Sequence, residues 1–303
     1  MAFGYNPPTG DRLIERVDPA TFAADLDRVL HVAAASFESL WVSDHFMTED
    51  RFRLECWTQL TWIAARFPRP LLGTIVMANS YRHPPLLAKM AASLQYLSGG
   101  RFILGYGAGW AEDEYRAYGY DFPPARTRIE QMVEGIEVIR ALWSGGPVSY
   151  AGRHYQLTDA LTVPIPRPPP PIMIGGDGER LTLRAVATHA DWWNAMSRPM
   201  DVLRRKVTTL EEHCAAVARD PASITRTITF VAYLDTDAAA ARRAAGPRLQ
   251  GETVAFAGDP AAMVGHLAAL ADLGFEHVQL VFPGFPGTAD MELFLERVRP
   301  EFA

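Results

Sequence analysis

Cysteine, lysine and long apolar runs are all scarce in this chain of 303 residues. Its two cysteines, Cys56 and Cys214, stand far apart in helix-like segments, and no Cys-x-x-Cys pair occurs. That excludes a disulfide framework and predicts a reduced, cytoplasmic protein. No apolar stretch approaches the roughly 18 residues of a membrane span. The first residues, Met1 to Pro8, show no basic region followed by an apolar one, so no signal peptide is expected. Positive charge is also short: 29 Lys and Arg face 35 Asp and Glu, a net charge of −6. A globally basic nucleic-acid binder is excluded on that ground. Lys89 and Lys206 are the only lysines, and arginine carries nearly all the positive charge. Several catalytic signatures are missing as well. There is no His-x-His after the first strand, no His-Glu-x-x-His and no clustered Cys and His, so no metal centre is expected. There is no Gly-x-Ser-x-Gly elbow and no Gly-x-Gly-x-x-Gly after the first strand.

What is present points to a barrel. Hydrophobic residues make up 49% of the chain and charged residues 21%, enough for a large core. Short apolar runs alternate with helical patterns. The expected strands are 2–5, 39–43, 71–77, 101–106, 172–174, 190–195, 225–234 and 277–282. Leu71–Met77 is continuously apolar, the mark of a strand buried on both faces. Between them the spacing predicts helices over 19–34, capped by Asp18, and over 55–66, 84–97, 123–143, 178–188, 199–218, 237–245, 260–273 and 289–298. A small hairpin is expected at 148–157 with its turn at Ala151-Gly152-Arg153. Pro164–Pro171 reads as an extended connector. Strict alternation over eight units predicts an α/β fold, a (β/α)₈ TIM barrel with insertions formed by residues 1–303 as one domain. A doubly wound open sheet is the competing architecture.

In such a barrel, chemistry sits where strands end and loops begin. Asp44 and His45 follow the second strand, where a carboxylate beside an imidazole can place a proton-transfer group. The other strand and helix histidines, among them His31, His154, His213, His266 and His277, read as structural. Gly105-Tyr106-Gly107-Ala108-Gly109-Trp110 ends the fourth strand, and its alternating glycines would let backbone approach a flat ligand. Ile174-Gly175-Gly176-Asp177-Gly178-Glu179 ends the fifth strand and opens the next helix. That arrangement offers free N–H groups to an anion, although no P-loop lysine follows.

Taken in order, these motifs resemble the bacterial luciferase-like superfamily, and within it the oxidoreductases that use the deazaflavin coenzyme F420. The resemblance runs from about Ser36 to Asn194 through Trp41-Val42-Ser43-Asp44-His45-Phe46, Leu72-Gly73-Thr74-Ile75-Val76 and Tyr81-Arg82-His83-Pro84-Pro85. It continues through Leu97-Ser98-Gly99-Gly100-Arg101-Phe102, the Gly105 to Trp110 segment, Glu114-Tyr115-Arg116 and Ile174 to Glu179, with a fainter match at Gly258-Asp259-Pro260. It implies a deazaflavin ring at the barrel mouth, with His45 as the acid/base and Asp44 in contact with the ring or its ribityl chain. Ile75–Val76 matches the position of a non-prolyl cis peptide behind the ring. Gly176, Asp177, Gly178 and Glu179 match the segment whose amides take the cofactor phosphate. Tyr106, Gly107, Gly109 and Trp110 would line the ring and substrate cavity, and Arg82, Arg180 and Arg198 would offset the cofactor's charge. Two departures bear on substrate. The sugar-phosphate dehydrogenases of the family carry tryptophan where this chain has Glu49, and glutamate where it has Trp110. Asp113 also stands where some relatives have asparagine. The resemblance therefore implies a small, apolar or aromatic substrate, with an FMN-dependent monooxygenase served by a partner reductase as the alternative. Relatives commonly form homodimers.

Overall fold

The computed structural model describes residues 1–11 and 16–302. Its strands are β1 (Ala2–Tyr5), β2 (Ser39–Val42), β3 (Leu71–Thr74), β4 (Met77–Ala78), β5 (Phe102–Gly107), β6 (Val148–Ala151), β7 (Gln156–Ala160), β8 (Ile172–Gly175), β9 (Trp192–Met196), β10 (Thr225–Leu234), β11 (Phe256–Gly258) and β12 (Phe275–Val281). Eight of these close on one another in the order β1-β2-β3-β5-β8-β9-β10-β12, every pairing parallel, with β12 returning to β1. This is the (β/α)₈ barrel, not the open sheet. The continuous apolar stretch at 71–77 is interrupted by a cis peptide between Ile75 and Val76. Beyond it β4 resumes pairing with β5, Met77 opposite Tyr106.

Helices α1 (Phe22–Ser36), α2 (Cys56–Arg66) and α3 (Pro84–Leu97) follow the first three barrel strands; α4 (Glu112–Ala117) and α5 (Ala125–Ser144) follow β5. Then come α6 (Thr182–His189), α7 (Met200–Ala216), α8 (Ala238–Ala245), α9 (Pro260–Asp272) and α10 (Ala289–Arg297). Each buries one apolar stripe: in α1 it is Phe22, Leu26, Val29, Leu30 and Ala33. Two starts differ from the sequence expectation. Asp18 does not cap α1 directly but closes a turn ahead of it, taking the amides of Ala20, Thr21 and Phe22. The helix expected from Gly178 begins at Thr182, because Gly176 to Leu181 first makes a loop whose Gly178 carbonyl accepts the Leu183 N–H at 3.0 Å. The short α4 and β11 are too brief to show a period and were not expected.

The barrel interior is filled by side chains. Trp41, Ile103 and Met173 form its apolar layer, packed against Ile75, Val76 and Trp192. Trp41 occupies the space a side chain at position 73 would need, which is why Gly73 stands in the middle of a strand. Its indole N–H donates to Ser39 Oγ at 2.6 Å, and Ser39 Oγ meets His277 Nε2 at 2.7 Å. Nearer the mouth the Asn194 amide reaches Thr227, Thr229 and Gln279 at 2.9–3.1 Å. The insertion after α5 is the antiparallel β6–β7 hairpin. Glu134 of α5 anchors its turn by accepting the amides of His154 and Tyr155.

Candidate active site

A cavity of about 970 Å³ opens at the C-terminal ends of the strands. Its wall is built from the segments that follow them: Asn6 to Gly10 after β1, Ser43 to His45 after β2, Gly107 to Ala111 after β5, and Gly175 and Gly176 after β8. Ile75 and Val76 lie at its base. A Cβ on Gly107 would stand 2.7 Å from Val76 Cγ2, and one on Gly175 would stand 2.8 Å from the same side chain. These glycines therefore make room for Val76 and not for a ligand. Gly109 has φ of +77°, and a side chain there would run into the Tyr115 hydroxyl.

His45 is buried in the wall, with Nδ1 2.8 Å from Glu114 Oε1. The other Glu114 oxygen accepts from the Tyr81 hydroxyl at 3.0 Å and the Phe46 N–H at 3.3 Å. Burial alone would raise the Glu114 carboxyl, but His45, Tyr81 and the Phe46 amide outweigh it and hold it below its usual value. Glu114 lies on α4, which an aromatic cluster fixes: Tyr115 is fully buried between Tyr81 and Phe122, with ring centroids at 4.9 and 5.0 Å. On the cavity side the Trp110 ring stands edge-on to His45 at 5.4 Å. Glu114 carried no role in the sequence reading. The acidic Glu112-Asp113-Glu114 run in a helical first turn is the local signal for α4. The contact with His45, 69 residues away, is a property of the fold.

Asp44 points behind the cavity wall. Its carboxylate takes the Ala78 N–H at 3.0 Å and a two-pronged contact from Arg82 at 2.9 and 3.2 Å. Burial pushes this carboxyl up, and the Arg82 guanidinium opposes that shift. Arg82 also holds Glu55, which caps α2 through the amides of Trp57 and Thr58. Arg82 is thus consumed within the protein and is not available to a cofactor phosphate.

Other expected residues are distributed more widely. Gly107, Gly109, Trp110, Ile75, Val76 and Gly176 line the cavity. Tyr106 does not: it is fully buried and its hydroxyl donates to Asn79 on the outer side. Glu49 also lies off the cavity lining, its side chain 76% exposed and 3.7 Å from Arg51. Asp177 is tied to Arg198, with its shorter contact at 2.7 Å, and Arg198 reaches Glu252 at 3.2 Å. Gly178, Glu179, Arg180 and Lys206 line a separate hollow of about 440 Å³. Ile129 and Thr182 belong to both spaces, so the hollow adjoins the main cavity. Glu179 is bound there by Lys206 at 2.9 Å and Arg205 at 3.2 Å. Among the described residues no group of three or more His, Cys, Asp or Glu could hold a metal ion. No helix among them is long and apolar enough to cross a membrane.

A closed parallel barrel with a buried imidazole–carboxylate pair at its mouth defines a barrel equipped to move a proton beside a bound molecule. The chain belongs to the luciferase-like monooxygenase family, whose model matches residues 1–290. It is 32% identical to the F420-dependent glucose-6-phosphate dehydrogenase of Kineococcus radiotolerans over 220 residues, which cover 71% of this chain and 65% of that one. It is 30% identical to the F420-dependent hydroxymycolic acid dehydrogenase of Mycobacterium tuberculosis over 223 residues, 71% of this chain and 61% of the other. The match therefore spans under two thirds of the length of these relatives. Among solved structures, an F420-dependent secondary alcohol dehydrogenase holding an F420-acetone adduct superposes with a TM-score of 0.85 at 19% identity. That match covers 100% of this chain and 99% of the other.

Proposed function

We propose that the chain is an F420-dependent oxidoreductase. In this reading it transfers a hydride between the deazaflavin and a small, predominantly apolar or aromatic organic substrate, as a single barrel domain in the cytoplasm. The observation that carries this reading is the His45–Glu114 pair set into the wall of a cavity floored by Ile75 and Val76. The residues present fit the cofactor. The cavity has the volume of a large ligand site. Ile75 and Val76 give an apolar floor for a flat ring. The adjoining hollow offers the Gly178 backbone and Arg180 to the cofactor phosphate, with Lys206 held there by Glu179. When bound, a 5-deazaflavin supplies a carbon centre that gives or takes a hydride.

The protein's own part is positioning, shielding and a proton. In this reading His45, oriented through its Nδ1 contact with Glu114, exchanges a proton with the substrate. Glu114 fixes the ring's orientation through that contact. Trp110 supplies an aromatic face beside His45 against which a substrate can lie.

Titration of the purified protein with F420 and with FMN, side by side, tests the reading. Clear preference for F420 is expected. His45→Ala should lower turnover at least a hundredfold with F420 affinity within about twofold of the parent; unchanged turnover removes His45 from the chemistry. Preference for FMN would put the second reading first: an FMN-dependent luciferase-like monooxygenase with a partner reductase. A homodimer is part of the proposal. Leu86 and Leu97 of α3 are exposed near Leu161 and Val163, a segment that Lys89 ties to α3, and together they offer an apolar face to a second copy. Light scattering at the mass of one chain would overturn that part.

A further inference from the structure

The cavity carries a charge opposite in sign to the chain. Net charge is −6 overall. Among the described residues lining the cavity, Asp44 is the only carboxylate, and Arg82 neutralises it from behind. The lining also includes Arg128 of α5 and Arg248. Neither makes an ion pair among the described residues, in contrast to Arg82 and Arg198, which hold two carboxylates each.

Arg128 is the better placed of the two. Its guanidinium lies over the Phe122 ring at 3.9 Å. Nε donates to the Gly109 carbonyl at 3.3 Å and Nη1 to the Pro123 carbonyl. These neutral acceptors orient the fork without cancelling its charge, and they leave Nη2 and one Nη1 proton unspent. Gly109 immediately precedes Trp110, whose ring contacts His45, so the cation and the proton-transfer pair flank the same aromatic wall. Glu112, the nearest carboxylate acting on Arg128, is bound by Arg116 instead. Burial already disfavours the lone guanidinium charge, so an anion brought beside it relieves a standing cost.

We infer that Arg128 is a specificity-determining residue that receives a carboxylate of the substrate, so that the molecule turned over is an amphiphilic acid: an apolar or aromatic body against Trp110 with an anionic head on Arg128. The inference rests on the oxidoreductase reading for the chemistry performed, but not for the binding. The anionic portion of the cofactor is the other source of such a group, because Ile129, the next residue, reaches the hollow beyond.

Calorimetric titration separates these sources. The probes are aryl and alkyl carboxylates of two to ten carbons, each paired with its neutral amide, added to the protein with and without F420. The carboxylates are expected to bind at least tenfold tighter than their amides. Arg128→Gln should abolish that preference, Arg128→Lys should keep part of it, and F420 affinity should stay within about twofold in both. Unchanged melting of the variants confirms that the loss is local. Equal binding of acid and amide, no binding of any acid in the series, or a preference that survives in Arg128→Gln overturns the inference. So does a tenfold loss of F420 affinity in Arg128→Gln, which assigns the cation to the cofactor. Failure of the parent to bind F420 while the Arg128-dependent acid preference persists overturns the oxidoreductase reading and leaves this one standing.

Discussion

His45 rests against a carboxylate that stays ionised at neutral pH. Glu114 is held below its ordinary value of 4.5, so it keeps its charge throughout the neutral region. Its contribution is lost only as pH falls through that lowered value, where the carboxylate takes up a proton. Glu114→Gln should therefore reduce turnover about ten- to a hundredfold at neutral pH, with F420 affinity little changed. Parental turnover in the variant would show that His45 does not depend on this carboxylate. The sequence located His45 and Asp44 at the end of the second strand because position in an alternating pattern is a local property. It located the partner of neither. Asp44 turns away from the cavity toward Arg82, and Glu114 arrives from a helix whose six residues are too few to show a period. Tyr106 illustrates the same limit: it directly precedes the cavity-lining Gly107, yet its side chain faces away from the cavity and meets Asn79.

At the scale of elements, α4 delivers the Glu114 carboxylate to His45 and Gly109 sets its approach. The backbone turns there through φ of +77°, and Tyr115 packs over the space a Cβ would fill. Gly109→Ala should cost about 1–2 kcal/mol from the left-handed backbone alone and displace Tyr115. Turnover is then expected to fall with little change in the barrel's far-ultraviolet dichroism. A variant with parental stability and turnover would mean that α4 finds its place without this turn. The barrel strands were legible because each is short, apolar and followed by a helix. Element starts were less so: the loop from Gly176 to Leu181 has helix-compatible residues, and only its tertiary hydrogen bonds delay α6 until Thr182. The glycines at 107 and 109 were visible as a pattern, but their reason was not, since Val76 and Tyr115 come from other segments.

For the molecule as a whole, His277 sets a limit on acid stability. Burial inside the barrel pushes this imidazole down from 6.5 to about 4. The folded chain thus binds fewer protons than the unfolded one between those values, and stability falls as pH drops through that window. A shift of this size corresponds to about 3 kcal/mol, fully present above pH 6.5 and gone near pH 4. Denaturant unfolding across this range should show the loss, and His277→Gln, which keeps a partner for Ser39, should flatten it. An equal slope in the variant would place the acid sensitivity elsewhere.

The pairing of β1 with β12 has a consequence for how such a protein is made. Ala2 lies beside His277, so the barrel closes through segments separated by nearly the whole chain. Contacts of such long sequence separation form late and slowly. On a ribosome the first strand must wait for the last, and the walls of the cavity meet only when that strand emerges. Cofactor loading is then an event of the finished molecule, and a growing chain has no half-built pocket in which to trap it.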